Sequence, residues 1–235
     1  METFYLGGLG PKYKKIIIFD VETTGFNPII DELLEIAMIV LTLDDVGNVI
    51  KKEELDELIQ LAPGKTIPDE IVQLTKITND LLIQKGSNPL KVFKQVSSFM
   101  VGQEELALLA YNASFDLQFL FAFFKKMKME HILNLSHIDY YDCLTMYKDR
   151  APYPHKLQDA INFYGLKEEV KNSHRALDDA RATLVLFQTM MNQCDDGLNY
   201  RNLFGYNPKY PRRHHPIHKI KFRPQAYGAS KKIYK

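Results

Sequence analysis

Cysteine is scarce in this chain of 235 residues. Cys143 and Cys194 are the only two, too few for a disulfide framework and expected to be ordinary reduced thiols. No apolar run is long enough to cross a bilayer, and the N-terminus lacks a charged lead into an apolar signal core. These absences predict a cytoplasmic protein with no membrane partner. No internal repeat is visible, which excludes repeat architectures. Acidic residues are missing altogether after Asp196, where ten Lys or Arg occur; residues 1–196 hold the other 20 basic residues and all 29 acidic ones. The net charge of +1 therefore hides an acidic body, at −9, and a basic tail.

The apolar fraction of 46% is ample for a packed core. Residues 16–21, β-branched and ended by Thr-Thr-Gly, predict a buried strand. Residues 33–43 predict a second, and the turn at 46–48 leads to a third over 49–61, giving an antiparallel meander. Short helical patterns follow near 69–75 and at 89–101, the latter with Asn88 as cap and Val92, Phe93, Val96 and Met100 on one face. Residues 106–111 predict another buried strand, followed by a helix capped by Asn112 or Ser114. A short strand near 137–140, helices near 143–147 and 156–164, and a last helix over 175–191 complete the body. The order predicts an α/β layered domain with a mixed sheet.

Two carboxylates stand in and just after the most apolar run, IIIFDVETTG. A buried carboxylate is costly unless it is protonated, hydrogen-bonded or bound to a cation. Side chains alternate along a strand, so Asp20 and Glu22 project to the same side at its carboxyl end, where ligands commonly sit in α/β sheets. Mg²⁺ or Mn²⁺ suits such oxygen sites; taken alone, the pair is better read as a strand end facing water, because acidic residues after strands are common. Asp116 falls in the first turn of the helix after a buried strand, where the helix dipole by itself favours an acid. Asp179 lies near the edge of the apolar stripe of the last helix, and His174 precedes it by five residues. Four carboxylates can hold two divalent cations, which about 3.5–4 Å apart activate water and stabilise a leaving oxygen at phosphorus. A neutral His can take the proton of the attacking water. Together these parts describe phosphodiester hydrolysis.

The segments FDVETTG, YNASFD and HRALDDA, in this order and at these separations, resemble the three motifs of the DEDDh, or DnaQ-like, family of 3′→5′ exonucleases. IPDEIVQLTKIT and PHKLQDAINFYGL are similar to the proofreading exonucleases of bacterial replicative polymerases, and the likeness spans roughly residues 14–192. The resemblance implies a ribonuclease H-like fold with a central mixed five-stranded sheet flanked by helices. It implies Asp20, Glu22, Asp116 and Asp179 as ligands of two divalent cations, Mg²⁺ or Mn²⁺, with His174 as general base. Thr23, Thr24, Gly25 and Phe26 would line the terminal-nucleotide pocket, and Asn112 and Phe115 would support or contact the strand end. The sister group with Tyr four residues before the last Asp is excluded, because Arg175 holds that position. Asp142 falls where relatives often carry an Asp and is read as supporting; Tyr111 departs from the His common there.

The chain thus divides into an exonuclease domain, residues 1–196, and a basic, aromatic-rich C-terminal extension, residues 197–235. The extension interleaves Tyr200, Phe204, Tyr206, Tyr210, Phe222, Tyr227 and Tyr234 with basic residues. That pattern suits a single strand, with aromatics on bases and cations on phosphates, and equally suits packing on the acidic body. The expected function is removal of nucleotides from single-stranded 3′ ends, DNA favoured over RNA. A proofreading role would require a polymerase chain as partner, since no polymerase domain is present. An exoribonuclease is the alternative within the enzyme class, and a non-catalytic nucleic-acid-binding or polymerase-docking module the alternative outside it. The five intact site positions argue against the latter.

Overall fold

A β-branched run with apolar residues on both faces can only be satisfied inside a sheet covered on both sides. Lys15–Thr23 (β1) occupies that central place in a computed structural model that describes residues 4–210, 215–225 and 232–235. A single helical turn, α1 (Leu9–Lys12), precedes it. β1 pairs antiparallel with β2 (Leu33–Leu43), which pairs antiparallel with β3 (Val49–Leu58). On its other side β1 runs parallel to β4 (Leu106–Ala110), and β4 to β5 (Ile138–Asp142). The order β3-β2-β1-β4-β5 is the mixed five-stranded sheet expected from the sequence.

The period of two along β1 divides the core. Ile16 and Ile18, with Ile39, Leu41 and Leu109, face α6 (Cys143–Lys148), α7 (Leu157–Phe163) and α8 (Ala176–Gln193). Ala180, Leu184, Phe187 and Met191 of α8 form the opposing stripe, at the three- and four-residue spacing of one helix face. Ile17, Phe19 and Val21 face the other layer, α4 (Pro89–Met100) and α5 (Ala113–Lys126), through Val92, Val96, Leu117, Leu120 and Phe124. A smaller cluster of Leu34, Ile67, Ile71, Ile77 and Leu82 packs α2 (Asp69–Thr75) and α3 (Asn79–Lys85) against the end of the meander.

Asn88 caps α4 as expected, its side chain accepting from Leu90 N at 2.9 Å. The expected cap of α5 is different. Asn112 does stand at the N-cap, but in the left-handed region (φ 62°), and its side chain makes no capping bond. Asp142, at the end of the neighbouring parallel strand, accepts from Ala113 N at 3.1 Å instead. It also accepts from Leu144 N, Thr145 N and the Thr145 hydroxyl, so one carboxylate holds the starts of both α5 and α6. The third strand stops at Leu58, short of residue 61, because Ile59 bridges to Ser87 instead.

The described parts of the C-terminal extension lie on the body. β6 (Leu203–Tyr206) and β7 (Lys221–Pro224) form a parallel pair. Phe204, Ile217 and Ile220 join the α5-side core, and Tyr200, Leu203 and Ile233 the α8-side core. Asn202 meets the outer edge of β5: its side-chain oxygen accepts from Tyr140 N at 2.8 Å, and its own N–H donates to Tyr140 O at 2.9 Å. Lys219 pairs with Asp139 at 3.2 Å, and Lys232 with Asp196 at 3.2 Å. Tyr227 lies outside the described residues.

Candidate active site

The alternation that sends Ile16 and Ile18 toward α8 sends Asp20 and Glu22 the same way, at the carboxyl end of the strand. α8 brings Asp179 up to them from its first turn, and α5 brings Asp116. Asp116 is tied directly to β1, accepting from Val21 N at 3.3 Å. His174 stands just before α8 in the left-handed region (φ 56°), and its side chain is exposed. One ligand atom each of Glu22, His174 and Asp179 lies within 4.8 Å of the other two.

The electrostatics of this cleft are one-sided. Burial, and then the charges of Asp116, Asp179 and Glu22, push the Asp20 carboxyl well above its ordinary range. Burial and then Asp179, Glu35 and Asp116 push Glu22 up to about 8, against a smaller opposing pull from Arg175. Asp179 is pushed up to about 7, mainly by burial, although backbone N–H groups of Ser173 and His174 oppose the rise. Burial raises Asp116 too, opposed by backbone N–H groups that include that of Val21. No Lys or Arg among the described residues forms an ion pair with any of the four. His174 moves the other way: partial desolvation and then the charge of Lys156 lower its pKa, favouring the neutral imidazole.

The loop after β1 is organised around Asp31. Its carboxylate accepts from Asn27 N at 2.8 Å and from the Thr24 hydroxyl at 3.4 Å. A Cβ on Gly25 would come within 2.5 Å of the same carboxylate. The Thr23 hydroxyl donates to Gly25 O at 2.6 Å, so it holds the loop's own backbone. Phe26 is 81% exposed, yet its ring lies 6.3 Å from that of Phe115, which in turn lies 5.0 Å from Phe119. Asn112 is exposed at the start of α5 beside this aromatic group. Tyr111 is buried and turns inward, donating to His155 O at 2.7 Å.

One residue at the site was missed from the sequence. Glu35 is the β-sheet partner of Glu22 and is 0% exposed. It accepts from Arg175 through two nitrogens and from Ala176 N at 2.9 Å. The signal was available, since a lone carboxylate inside LLEIAMIVL poses the same problem as Asp20.

Comparison with known proteins finds an exonuclease family and a shared fold. The family model described as Exonuclease (RNase_T) matches residues 17–187. "DNA polymerase III subunit epsilon" of Treponema pallidum is 30% identical over 173 residues, which cover 74% of this chain and 74% of that protein. "DNA polymerase III PolC-type" of Listeria innocua is 32% identical over 171 residues, 72% of this chain but only 11% of that much longer protein. Among solved structures, E. coli exonuclease I in complex with a dT13 oligonucleotide superimposes with a TM-score of 0.67. It is 22% identical, with 80% of this chain and 43% of that one covered, a likeness of fold.

Proposed function

Because the chain belongs to the DnaQ-like exonuclease family, we propose that it removes nucleoside monophosphates one at a time from the 3′ ends of single-stranded DNA. The observation that carries this reading is the convergence of Asp20, Glu22, Asp116 and Asp179, desolvated and without ion-pair partners among the described residues. The donor set fits a hard divalent cation: all-oxygen carboxylates, mutually repelling, with no ion pair among the described residues to neutralise them. We assign Asp20, Glu22, Asp116 and Asp179 as the residues that would hold two such ions, Mg²⁺ or Mn²⁺. When bound, such ions supply charge neutralisation at the phosphate and a more acidic attacking water.

The remaining work falls to side chains of this chain. His174, neutral near pH 7 and standing at the rim beside Glu22 and Asp179, accepts the proton of the attacking water at an imidazole nitrogen. Its left-handed backbone lets Ser173 N reach Asp179 at 3.1 Å, so base and carboxylate are positioned by one short loop. The exposed Phe26 ring, braced on Phe115, offers an apolar face to the terminal base. Thr23 and Thr24 spend their hydroxyls within the loop, so the pocket meets the nucleotide through backbone groups of residues 23–26. Asn112, exposed at the start of α5 beside Phe115, reaches the strand end from the same side.

DNA is preferred to RNA as the polymer because the relatives are named as DNA polymerase III components. In a proofreading role a separate polymerase chain would be the partner. The test is digestion of 3′-labelled and 5′-labelled DNA and RNA strands side by side with Mg²⁺. Mononucleotides released first from the 3′ label of single-stranded DNA are expected. Release from the 5′ end, faster attack on RNA, or no cleavage would overturn the assignment.

A further inference from the structure

A groove of about 490 Å³ runs beside the candidate site, between the loop after β1 and the outer face of α5. Pro28 and Ile29 form one wall, Gln118 and Ala122 the floor, and Lys125 and Pro216 the far end. It continues the terminal-base pocket on both sides. Pro28 is two residues beyond Phe26, and Gln118 is one helical step beyond Phe115 on the same face of α5. Ile29 is 89% exposed and Phe26 81%, so this loop presents apolar side chains beside the cleft.

The charge at the far end is complementary to phosphate. Lys125 is exposed and has no ion-pair partner among the described residues. Lys126 and Lys65 share the single carboxylate of Glu32, at 2.9 and 3.3 Å. Two ammonium groups, Lys125 and Lys126, thus line an otherwise largely apolar channel, with Lys126 held by Glu32. Apolar walls for bases together with cations for phosphates are the elements of a single-strand track. The volume lies in the range of a small-ligand site, enough for a nucleotide unit.

We propose that this groove holds the single-stranded DNA immediately 5′ of the nucleotide being removed. Bases lie against Pro28, Ile29 and Pro216, and a phosphate lies on Lys125. The inference rests on the exonuclease reading for its polarity, but its binding component stands apart from hydrolysis. Pro216 belongs to the C-terminal extension, so the extension contributes a wall to the substrate path.

The test uses the full chain with Lys125→Glu and Ile29→Asp, both at exposed positions. Two substrates are compared, a labelled oligothymidylate and p-nitrophenyl thymidine 5′-phosphate, which has no 5′ neighbour to place in the groove. Each variant should lose about tenfold in kcat/KM on the oligonucleotide, the worth of one charge-assisted contact for Lys125 and of one apolar wall contact for Ile29, and less than about twofold on the ester. Oligonucleotide binding, read by fluorescence anisotropy against salt in EDTA, should weaken, with the slope for Lys125→Glu smaller by about 0.7. Unchanged oligonucleotide binding in both variants would overturn the groove and leave its apolar wall to a protein segment. Equal losses on both substrates would also overturn it, making these residues supports of the site. If the parent cleaves neither substrate the exonuclease reading fails, and the anisotropy series alone still decides the groove.

Discussion

Glu35 and Arg175 join the middle of the sheet to the start of α8: the Arg175 Nε lies 3.0 Å from Glu35 Oε1 and 3.1 Å from Oε2. Arg175 directly follows His174, and Glu35 directly pairs with Glu22, so this ion pair spans the candidate site from base to carboxylate. Arg175→Ala leaves a fully buried carboxylate unpaired. Breaking such a pair costs about 3–5 kcal/mol, and the partial exposure of Arg175 places this one near about 3 kcal/mol. Urea unfolding at pH 7 measures it. A loss below about 1 kcal/mol would put the pair among ordinary surface bridges.

The carboxylates themselves predict the pH dependence of the metal-free protein. Unfolded, these groups titrate near about 4; folded, Glu22 titrates at about 8 and Asp179 at about 7. Between those limits the native state holds protons that the unfolded chain has released, so stability falls as pH rises. Their contribution is full below about 4 and gone above about 8. In EDTA the Tm should therefore be higher at pH 5 than at pH 8, and Mg²⁺ or Mn²⁺ should raise it more at pH 8. A Tm in EDTA that rises from pH 5 to pH 8 contradicts the assignment.

Asp20→Asn and Asp116→Asn remove part of that repulsion. At pH 8 in EDTA each should melt at least about 2–4 °C above the parent, the shift that 1 kcal/mol gives in a chain of this size. Each should also lose hydrolysis of single-stranded DNA. Near-parental activity in pure protein would remove the residue from the proposed ligand set.

His174→Ala should lower the rate by about 10²–10⁴-fold, the usual range for general acid–base catalysis. The parent should lose rate on the acid side as the imidazole protonates, with a midpoint below the ordinary histidine value because its pKa is lowered. The alanine variant should lack that limb. An alanine variant with the same acid limb at near-parental rate assigns the proton transfer elsewhere.

For the extension, the packing of Phe204 predicts a structural cost. Its side chain is buried in the α5-side core, with the Phe222 ring edge-on at 6.1 Å. Phe204→Ala should destabilise by about 3–5 kcal/mol and lower turnover of long and short substrates alike at temperatures near its Tm. Truncation after Asp196 also removes Tyr200, Ile217, Ile220 and Ile233 from the two cores, each worth about 1.5–3 kcal/mol on burial. That sum rivals the whole stability of a typical domain, so the truncated chain should not fold. Circular dichroism melts distinguish this from loss of binding alone.

The body's strands were legible because each carries its own signal. Ile16–Ile18 and Leu106–Ala110 are short apolar runs, and α4 and α8 have clear stripes at helical spacing. Asp20 and Glu22 stood out because carboxylates in apolar surroundings are costly, while Asp116, Asp179 and His174 joined the candidate set through the resemblance of the three motifs; the structure brings Glu22, His174 and Asp179 to one place. Glu35 escaped notice because its partner, Arg175, is 140 residues away and only the fold brings them together. α3 was missed because its apolar stripe is a single buried residue, Leu82. β6 and β7 were missed for a related reason: four-residue strands with few β-branched residues take their order from the cores beneath them. The Asn112 cap failed because the acceptor for Ala113 N comes from another strand, a solution that local sequence cannot reveal.

Asn202 gives the sheet a boundary. An edge strand with open N–H and C=O groups is a template for a further strand from another molecule. At Tyr140 both groups are already taken, by a side-chain amide oxygen and a backbone N–H of the same residue. The Asn202 amide nitrogen continues along the edge to Asp139 at 2.7 Å. The opposite edge, β3, is closed by other means: Lys51, Lys52, Glu53, Glu54, Asp56 and Glu57 make it a row of mixed charge. An incoming strand would meet a plug at one margin and a desolvation penalty at the other. Both margins of the described sheet thereby disfavour a sixth strand, and with it edge-to-edge self-association, the usual hazard of so apolar a β-layer.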